Sequence, residues 1–228
     1  MNELAQKLIE ELQCETVFTI PVLGGIPVSE AVVVTWIIMA VLVIAAFILT
    51  RNLKVAHISK RQAVAESIVT GLMNMVQGMV GEKGRKYVPY LTTVMLYIGV
   101  SNIIGLFGFK SPTKDLRVTV ALALMSIILI EAAGIYHKGV KRWLHGFVEP
   151  VAIVTPINIL EVVTKPLSLC MRLFGNVLGA FVIMELLKMI LPVGLPVVFS
   201  LYFDIFDGLL QAYVFVFLTS LYIDEITE

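Results

Sequence analysis

The chain has 228 residues, of which 58% are hydrophobic and only 15% are charged, and its mean hydropathy is +0.93. Soluble domains carry about 45–50% apolar residues, so this composition excludes both a soluble and a disordered protein. Basic and acidic residues balance at 17 each, which argues against a nucleic-acid-binding protein. The composition therefore indicates a polytopic membrane protein.

The N-terminal residues 1–30 lack the basic start of a signal peptide, and we expect them to form an external N-terminal segment. Residues 31–228 are then a single membrane domain. Its first apolar run, Ala31–Thr50, carries no charge and is long enough to cross a hydrocarbon core of about 30 Å. Four more apolar stretches follow, which predicts five membrane helices: the later ones are Tyr87–Phe109, Val118–Tyr136, Ile153–Leu191 and Pro196–Ile223.

Residues 62–80 differ from these stretches, because apolar side chains recur there at helical spacing while polar ones occupy the other side. The apolar set is Ala65, Ile68, Val69, Leu72, Met75, Val76 and Met79, and the polar set is Glu66, Thr70, Asn74 and Gln77. The pattern favours an interfacial amphipathic helix on the membrane surface. The alternative is a short helix packed on the bundle.

Basic residues predict the orientation of the five crossings. Ten lysines and arginines flank the helices on one side of the membrane and four on the other. By the positive-inside rule the ten face the cytoplasm, which puts the N-terminus outside and the C-terminus inside. The ten are Arg51, Lys54, Lys60, Arg61, Lys83, Arg85, Lys86, Lys138, Lys141 and Arg142, and the four are Lys7, Lys110, Lys114 and Arg117.

Arg172 lies within the fourth membrane stretch, with apolar residues on both sides. An arginine at the bilayer centre costs roughly 2.5–3.5 kcal/mol on insertion scales, and it keeps its proton. A functional role is therefore favoured over a structural ion pair inside the bundle. No acid lies three or four positions away, so the counter-charge must come from another helix or another chain.

The helix around Arg172 carries its polar residues on one face, at about 100° per residue. Glu161 and Lys165 are four residues apart and can pair. Gly175 and Gly179 form a small-xxx-small pair, which lets another helix approach closely. This face predicts a partner that carries carboxylates inside the membrane. Its members are Glu161, Lys165, Ser168, Arg172, Asn176 and Gly179, with Gly175 at the border.

The last apolar stretch carries a polar strip. Asp204, Asp207 and Gln211 follow one another at spacings of three and four, so they share a helix face. The strip either lines a water-filled path or forms satisfied hydrogen bonds between helices, and the residues alone leave both open. Glu185 and Lys188, at the end of the preceding stretch, can pair with Asp204 or Asp207.

Prolines shape the same region. Pro166 removes one backbone hydrogen bond and is expected to kink or interrupt the fourth stretch. Pro192 and Pro196 bracket Gly194 and predict a tight turn, so the last two helices form an antiparallel hairpin.

Several runs of this sequence resemble subunit a of bacterial F-type ATP synthases. The most specific is KPLSLCMRLFGN at residues 165–176, with PINILE before it at 156–161 and LQAYVF downstream at 210–215. SNIIG at residues 101–105 and PTKDL at residues 112–116 also match. The resemblance covers the chain from about residue 30 to its end.

The resemblance implies the static half of an ion-driven motor, in the Fo sector of the cell inner (plasma) membrane. Such a subunit stands beside the c-ring, whose subunits each carry one carboxylate at mid-membrane, and beside the peripheral-stalk b subunits and lipid. Its long tilted hairpin, here about 153–223, faces the ring. Two half-channels lead protons to and from the ring, which drives rotation and ATP synthesis. The ATP chemistry belongs to partner subunits, so no enzymatic activity, cofactor or metal is expected in this chain.

The resemblance also assigns roles to two residues, and the polar faces described above supply further candidates. Arg172 separates the two half-channels, and Gln211 of the last helix lies near it. The other residues expected in ion translocation are Asn176, Ser168, Glu185, Asp204, Asp207 and Asn102, and the supporting ones are Glu161, Lys165, Gly175 and Gly179.

The chain departs from the common family pattern at four positions. Many members carry an acid nine residues after the arginine, where this chain has Phe181, and some carry a histidine where it has Asp204. Arg117 replaces a frequent asparagine, and Gly105 replaces an aspartate of some members. We hypothesise that Glu185 and Asp204 substitute for the usual polar pair of the outer half-channel. Because displaced acids suit sodium as well as protons, a sodium-translocating subunit a is the alternative.

Other classes of protein fit less well. A secondary transporter that binds an anion at Arg172 is the remote alternative, but the first half of the chain holds no second copy of the Arg172 block. A purely structural assembly subunit leaves Arg172 and the acidic strip unexplained. An enzyme is disfavoured because the sequence has no phosphate-binding glycine loop, no nucleophile with a base and no metal cluster.

Overall fold

The computed structural model describes residues 16–20, 26–51, 59–107, 109, 111–146, 154–190, 194 and 199–227. The predictions for residues 1–15 and for the turn at Pro192 and Pro196 lie outside these ranges. Of the basic residues that predict the orientation, Lys7, Lys54 and Lys110 also lie outside them.

The described part of the chain is almost entirely helical. The α-helices are α1 (Glu30–Thr50), α2 (Lys60–Val80), α3 (Val88–Ile103), α4 (Leu116–Lys138), α5 (Val140–Gly146), α6 (Thr155–Ile190) and α7 (Gly208–Thr227). A π-helical turn, Leu201–Asp207, leads into α7, and single 3-10 turns cover Arg85–Tyr87, Ile104–Phe107 and Pro112–Lys114.

Six of the described helical segments are long and apolar enough to cross a membrane. They are Glu30–Thr50, Lys60–Val80, Arg85–Phe107, Leu116–Lys138, Thr155–Leu187 and Leu201–Thr227. The all-α membrane fold is thereby confirmed. Five of the six segments coincide with the expected crossings, because each contains an apolar run at least as long as the roughly 20 residues that a bilayer requires.

The sixth segment, α2, corresponds to the helix expected on the membrane surface, and it is the most polar of the six. Ser59 caps its start by accepting the N–H of Gln62 at 3.3 Å, and Gly81 ends it with a φ of 72°. Val76 and Val80 are buried against α3, α4 and α7, whereas residues earlier in α2, such as Val64, are exposed. Its placement on the membrane surface stays a prediction.

A short β-hairpin precedes α1 within the segment that was expected only to be external. Strand β1 (Thr16–Ile20) pairs antiparallel with β2 (Ile26–Ser29). The strands are rich in β-branched and aromatic residues, which favour extended backbone. Ser29 ties the hairpin to the bundle, because its hydroxyl donates to Asp115 Oδ2 at 3.0 Å, at the start of α4.

The core of the bundle lies among α3, α4 and α7, and α6 packs mainly on α4. Leu169, Cys170 and Leu173 form the buried face of α6. In a soluble protein, burying a leucine side chain stabilises the fold by about 1.5–3 kcal/mol. In a membrane protein, close packing between the helices supplies the stability instead. Pro166 lies inside α6 without interrupting it, since neighbouring groups in membrane bundles can satisfy the freed carbonyl.

Helices α6 and α7 run antiparallel. Asn176 of α6 contacts Asp207, and Lys165, eleven residues earlier in α6, contacts Glu225 near the end of α7. Polar contacts thus join the two helices at two levels, with the buried apolar residues Leu169 and Leu173 of α6 and Phe215 of α7 between them in sequence, and the contact at Asn176 positions the candidate site.

Candidate functional site

A cavity of about 750 Å³ lies between the C-terminal ends of α3 and α6 and the N-terminal ends of α4 and α7. Its charged lining consists of three carboxylates, Glu185, Asp204 and Asp207, and one ammonium, Lys114. Polar lining comes from Asn102, Ser111, Asn176, Ser200 and Gln211. In membrane proteins, irregular backbone and ionisable groups are tolerated where they line a polar cavity of this kind.

The π-helical turn Leu201–Asp207 positions the acids of α7. Such turns are rare and occur often at functional sites. The hydroxyl of Ser200 donates to Asp204 Oδ2 at 2.7 Å and fixes that carboxylate. Across the cavity, in the 3-10 turn Ile104–Phe107, a Cβ at Gly105 would lie 3.3 Å from Asp204 Oδ1. The glycine therefore leaves room for the carboxylate, and an acid at position 105 would crowd and repel it.

Asn102 ties α3 to the start of α7. Its Nδ2 donates to the carbonyl of Gly208 at 2.9 Å, and its Oδ1 accepts from the hydroxyl of Thr113 at 2.8 Å. The side chain is buried with only 5% of the residue exposed. Asn102 thus borders the cavity, and its amide is engaged in holding three elements together.

The close approach of α3 and α7 at Gly208 leaves no room for a side chain. A Cβ at position 208 would lie 2.8 Å from Asn102 Cβ, an atom that cannot move without the α3 backbone. Gly208→Ala should therefore destabilise the assembled protein by about 1–3 kcal/mol, measured as a lower midpoint of thermal disassembly of the detergent-solubilised complex. Gly71→Ala in α2 is the matched control, because nothing lies within 4 Å of its Cβ, and it should be neutral or slightly stabilising. Equal midpoints for the two variants would contradict the packing argument.

Asn176 and Gln211 connect the cavity to the level of Arg172. Asn176 lies one helical turn after Arg172 in α6, and its Nδ2 donates to Asp207 Oδ2 at 2.8 Å and to Gln211 Oε1 at 3.4 Å. Gln211 is buried, and its Nε2 makes no hydrogen bond with any residue that the structure describes. A continuous polar row thus runs from the cavity towards the arginine.

Arg172 is exposed in the structure. Its neighbours Leu169 and Leu173 in α6 are buried, whereas Arg172 forms no hydrogen bond or ion pair with any of the described residues. Nothing lies within 4 Å of a Cβ built at Gly175 or Gly179. The outer face of α6 therefore presents an arginine beside open space, among exposed apolar side chains: Val163, Leu167 and Met171.

A second polar cluster lies at the opposite end of the α6–α7 pair. Lys165 Nζ is 3.6 Å from Glu161 Oε2 and 3.1 Å from Glu225 Oε1. The same ammonium lies 5.2 Å from the centroid of the Tyr222 ring. The Glu161–Lys165 pair expected from the spacing is therefore present. Glu225 was missed by the sequence analysis, because its helix end carries no periodic signal that singles it out.

The structure brings six of the eight expected translocation residues together around the cavity: Asn102, Asn176, Glu185, Asp204, Asp207 and Gln211. Arg172 and Ser168 lie outside it, exposed on the outer face of α6. The side chain of Lys188 is outside the described part, so its pairing stays a prediction. Two cavity residues were missed. Ser200 stands four residues before Asp204, a spacing that signals a contact, and Lys114 lies within the PTKDL motif.

Known proteins resemble this chain in sequence along nearly its whole length. Residues 32–224 match the family described as ATP synthase A chain. ATP synthase subunit a of Moorella thermoacetica is 36% identical over 203 residues, which cover 88% of this chain and 92% of that protein. The protein named ATP synthase subunit a, sodium ion specific, of Propionigenium modestum is 34% identical over 215 residues, covering 87% and 74% respectively. The chain therefore belongs to the family of ATP synthase subunit a, the non-catalytic membrane subunit of the Fo sector of F-type ATP synthases.

Proposed function

We propose that this stator subunit couples proton flow to the rotation of a carboxylate-bearing c-ring, and that Arg172 separates two half-channels that lead to the ring. The observation that carries the proposal is the state of Arg172. It is an exposed arginine on a membrane helix, with no ion pair among the described residues and open space beside it. Such a charge is costly against lipid, so a partner with carboxylates is expected on this face.

The acid-lined cavity is the outer half-channel in this proposal. It lies where α3 and α6 end and α4 and α7 begin, and these ends face outside if the ten basic residues face the cytoplasm. The row Asn176–Gln211 then leads from the cavity to the ring. The inner half-channel lies towards the opposite ends, near the cluster around Lys165.

The chemistry at Arg172 follows from its charge. A ring carboxylate that enters this low-dielectric interface meets the guanidinium, which favours the ionised form and hence release of the bound proton. The ionised carboxylate passes the stator beside Arg172, so its charge is not exposed to lipid. It then takes up a proton from the other half-channel. The driving energy is about 2.3 kcal/mol per proton per 100 mV, so the contact must be reversible. The positive charge also repels free cations and keeps the half-channels apart.

The assembly follows from the same surfaces. We assign the exposed face of α6 to the c-ring, and the remaining apolar surface, such as that of α1, to lipid and the peripheral-stalk b subunits. The N-terminus is placed outside and the C-terminus in the cytoplasm, in the cell inner (plasma) membrane.

The ion is tested by ATP-driven uptake into liposomes that contain the whole purified complex. A proton motor should acidify the lumen, a protonophore should collapse that gradient, and no sodium should enter. Sodium is the second candidate, because one relative is named sodium ion specific. Sodium uptake that persists or rises with protonophore would replace the proton by sodium and leave the coupling role of Arg172 in place. A complex that hydrolyses ATP and transports neither ion would contradict the proposal.

A further inference from the structure

Lys114 brings a positive charge into a cavity whose other charged lining residues are Glu185, Asp204 and Asp207. The three acids come from α6 and from the turn before α7, whereas Lys114 comes from the turn before α4. The proposed coupling mechanism gives this lysine no role. The turn that carries Lys114 lies between the crossing segments Arg85–Phe107 and Leu116–Lys138, so its positive charge stands at the end of the cavity where these two segments meet.

The base of the Lys114 side chain is held rigidly at the edge of the cavity. Its own N–H donates to the carbonyl of Ser111 at 3.1 Å. The preceding Thr113 is completely buried and donates to Asn102 at 2.8 Å, while the following Asp115 caps the start of α4. The ammonium is therefore tethered at a fixed point of the path and moves only as far as its four-carbon stem allows.

The ammonium of Lys114 lies on the face of Phe181, with Nζ 2.8 Å from the ring centroid. A cation at this distance is attracted by the electron-rich ring face. Phe181 stands where an acid is common in this family, so an aromatic ring replaces an oxygen ligand there. Phe181 offers no oxygen ligand to the cavity, and Lys114 adds a positive charge to it. Both features make the cavity less favourable for a metal cation.

We propose that Lys114 is a selectivity residue that keeps alkali-metal cations out of this cavity and leaves it to protons. The inference rests on the proposed function, in which the cavity is the outer half-channel. A sodium ion must exchange its water for oxygen ligands, and the Lys114 ammonium both repels it and competes for the oxygens of Glu185, Asp204 and Asp207. A proton travels on a carboxyl group as a neutral acid, or along hydrogen-bonded water, without displacing the ammonium.

The test compares proton pumping in two salts. Whole complexes with wild-type chain, Lys114→Met or Lys114→Arg are placed in liposomes, and ATP-driven acidification is followed in NaCl and in choline chloride at equal ionic strength of about 0.1 M. The ratio of the two rates is recorded for each complex, so a general change in activity cancels. Wild type and Lys114→Arg should give a ratio near one. In Lys114→Met, which keeps the stem and loses the charge, sodium should slow pumping at least about threefold.

Equal ratios for Lys114→Met and Lys114→Arg would overturn the selectivity role, and so would a wild-type complex that responds to sodium. If Lys114→Met does not assemble, Lys114→Gln is measured in the same way, and the wild-type ratio alone still tests the proposal. Failure of the proposed function has a separate signature, because Arg172→Ala would then retain coupled pumping in both salts.

Discussion

Arg172→Ala is expected to reduce ATP-driven proton pumping by the complex to background, a loss of at least about 100-fold. Between Lys165 and Asn176, Arg172 is the only charged residue of α6 in the part of the chain that the structure describes, and the substitution removes it. A ring carboxylate then has no cation to favour its ionised form, so it does not release its proton at the interface. Pumping is measured by dye quenching in liposomes, with ATP hydrolysis recorded in parallel.

Arg172→Lys should also be severely impaired, by about tenfold or more, because a lysine can lose its proton on burial and lacks the planar fork of the guanidinium. Arg142→Ala is the matched control. Arg142 is an exposed arginine of α5, outside the six segments that meet the criteria for crossing a membrane. It should pump at the wild-type rate. Equal losses in Arg142→Ala and Arg172→Ala would mean that the effect is not specific to the outer face of α6.

Neutralising both Glu185 and Asp204 is expected to lower proton pumping at least about tenfold, because the outer cavity then loses two of its three carboxylates. Glu185→Gln or Asp204→Asn alone should have a smaller effect, since the remaining acid of the pair can still carry protons through the cavity. The double variant keeps the side-chain volumes. Ser200 can still donate its hydrogen bond, to the amide oxygen at position 204, so the fold should be retained.

Glu131→Gln is the matched control for the acids. Glu131 lies in the membrane helix α4, outside the cavity lining, and its carboxylate accepts the Trp143 indole N–H at 2.9 Å. Its neutralisation should leave the pumping rate nearly unchanged. If the Glu185→Gln/Asp204→Asn variant pumped as well as Glu131→Gln, the hypothesis that these two acids form the outer path would be wrong.

The membrane helices were predictable because a bilayer imposes a length on charge-free apolar runs. The run Ala31–Thr50 and helix α1, Glu30–Thr50, differ by one residue. The β-hairpin was not predicted, and neither was its contact with the bundle, because Ser29 and Asp115 are 86 residues apart in sequence. The continuity of α6 through Pro166 was open, because local sequence does not show which neighbours satisfy the freed carbonyl.

The candidate site was predictable where residues share one helix face, as Asp204, Asp207 and Gln211 do. Contacts between turns and helices were not, and they decide the chemistry of the cavity. The ammonium of Lys114 on the Phe181 ring joins residues 67 positions apart, and nothing in the spacing links them. The approach of Asp204 to Gly105 is of the same kind. It explains in physical terms why an acid in one position accompanies a glycine in the other.

The central claim, that Arg172 keeps two half-channels apart and forces protons through the ring, is tested most directly by recording ATP synthesis and proton flux together. Liposomes with wild-type or Arg172→Ala complex are given an imposed proton gradient and ADP with phosphate. The claim predicts that ATP synthesis in the variant falls to background while protons still cross, uncoupled from synthesis. ATP synthesis near the wild-type rate in the Arg172→Ala complex would contradict it.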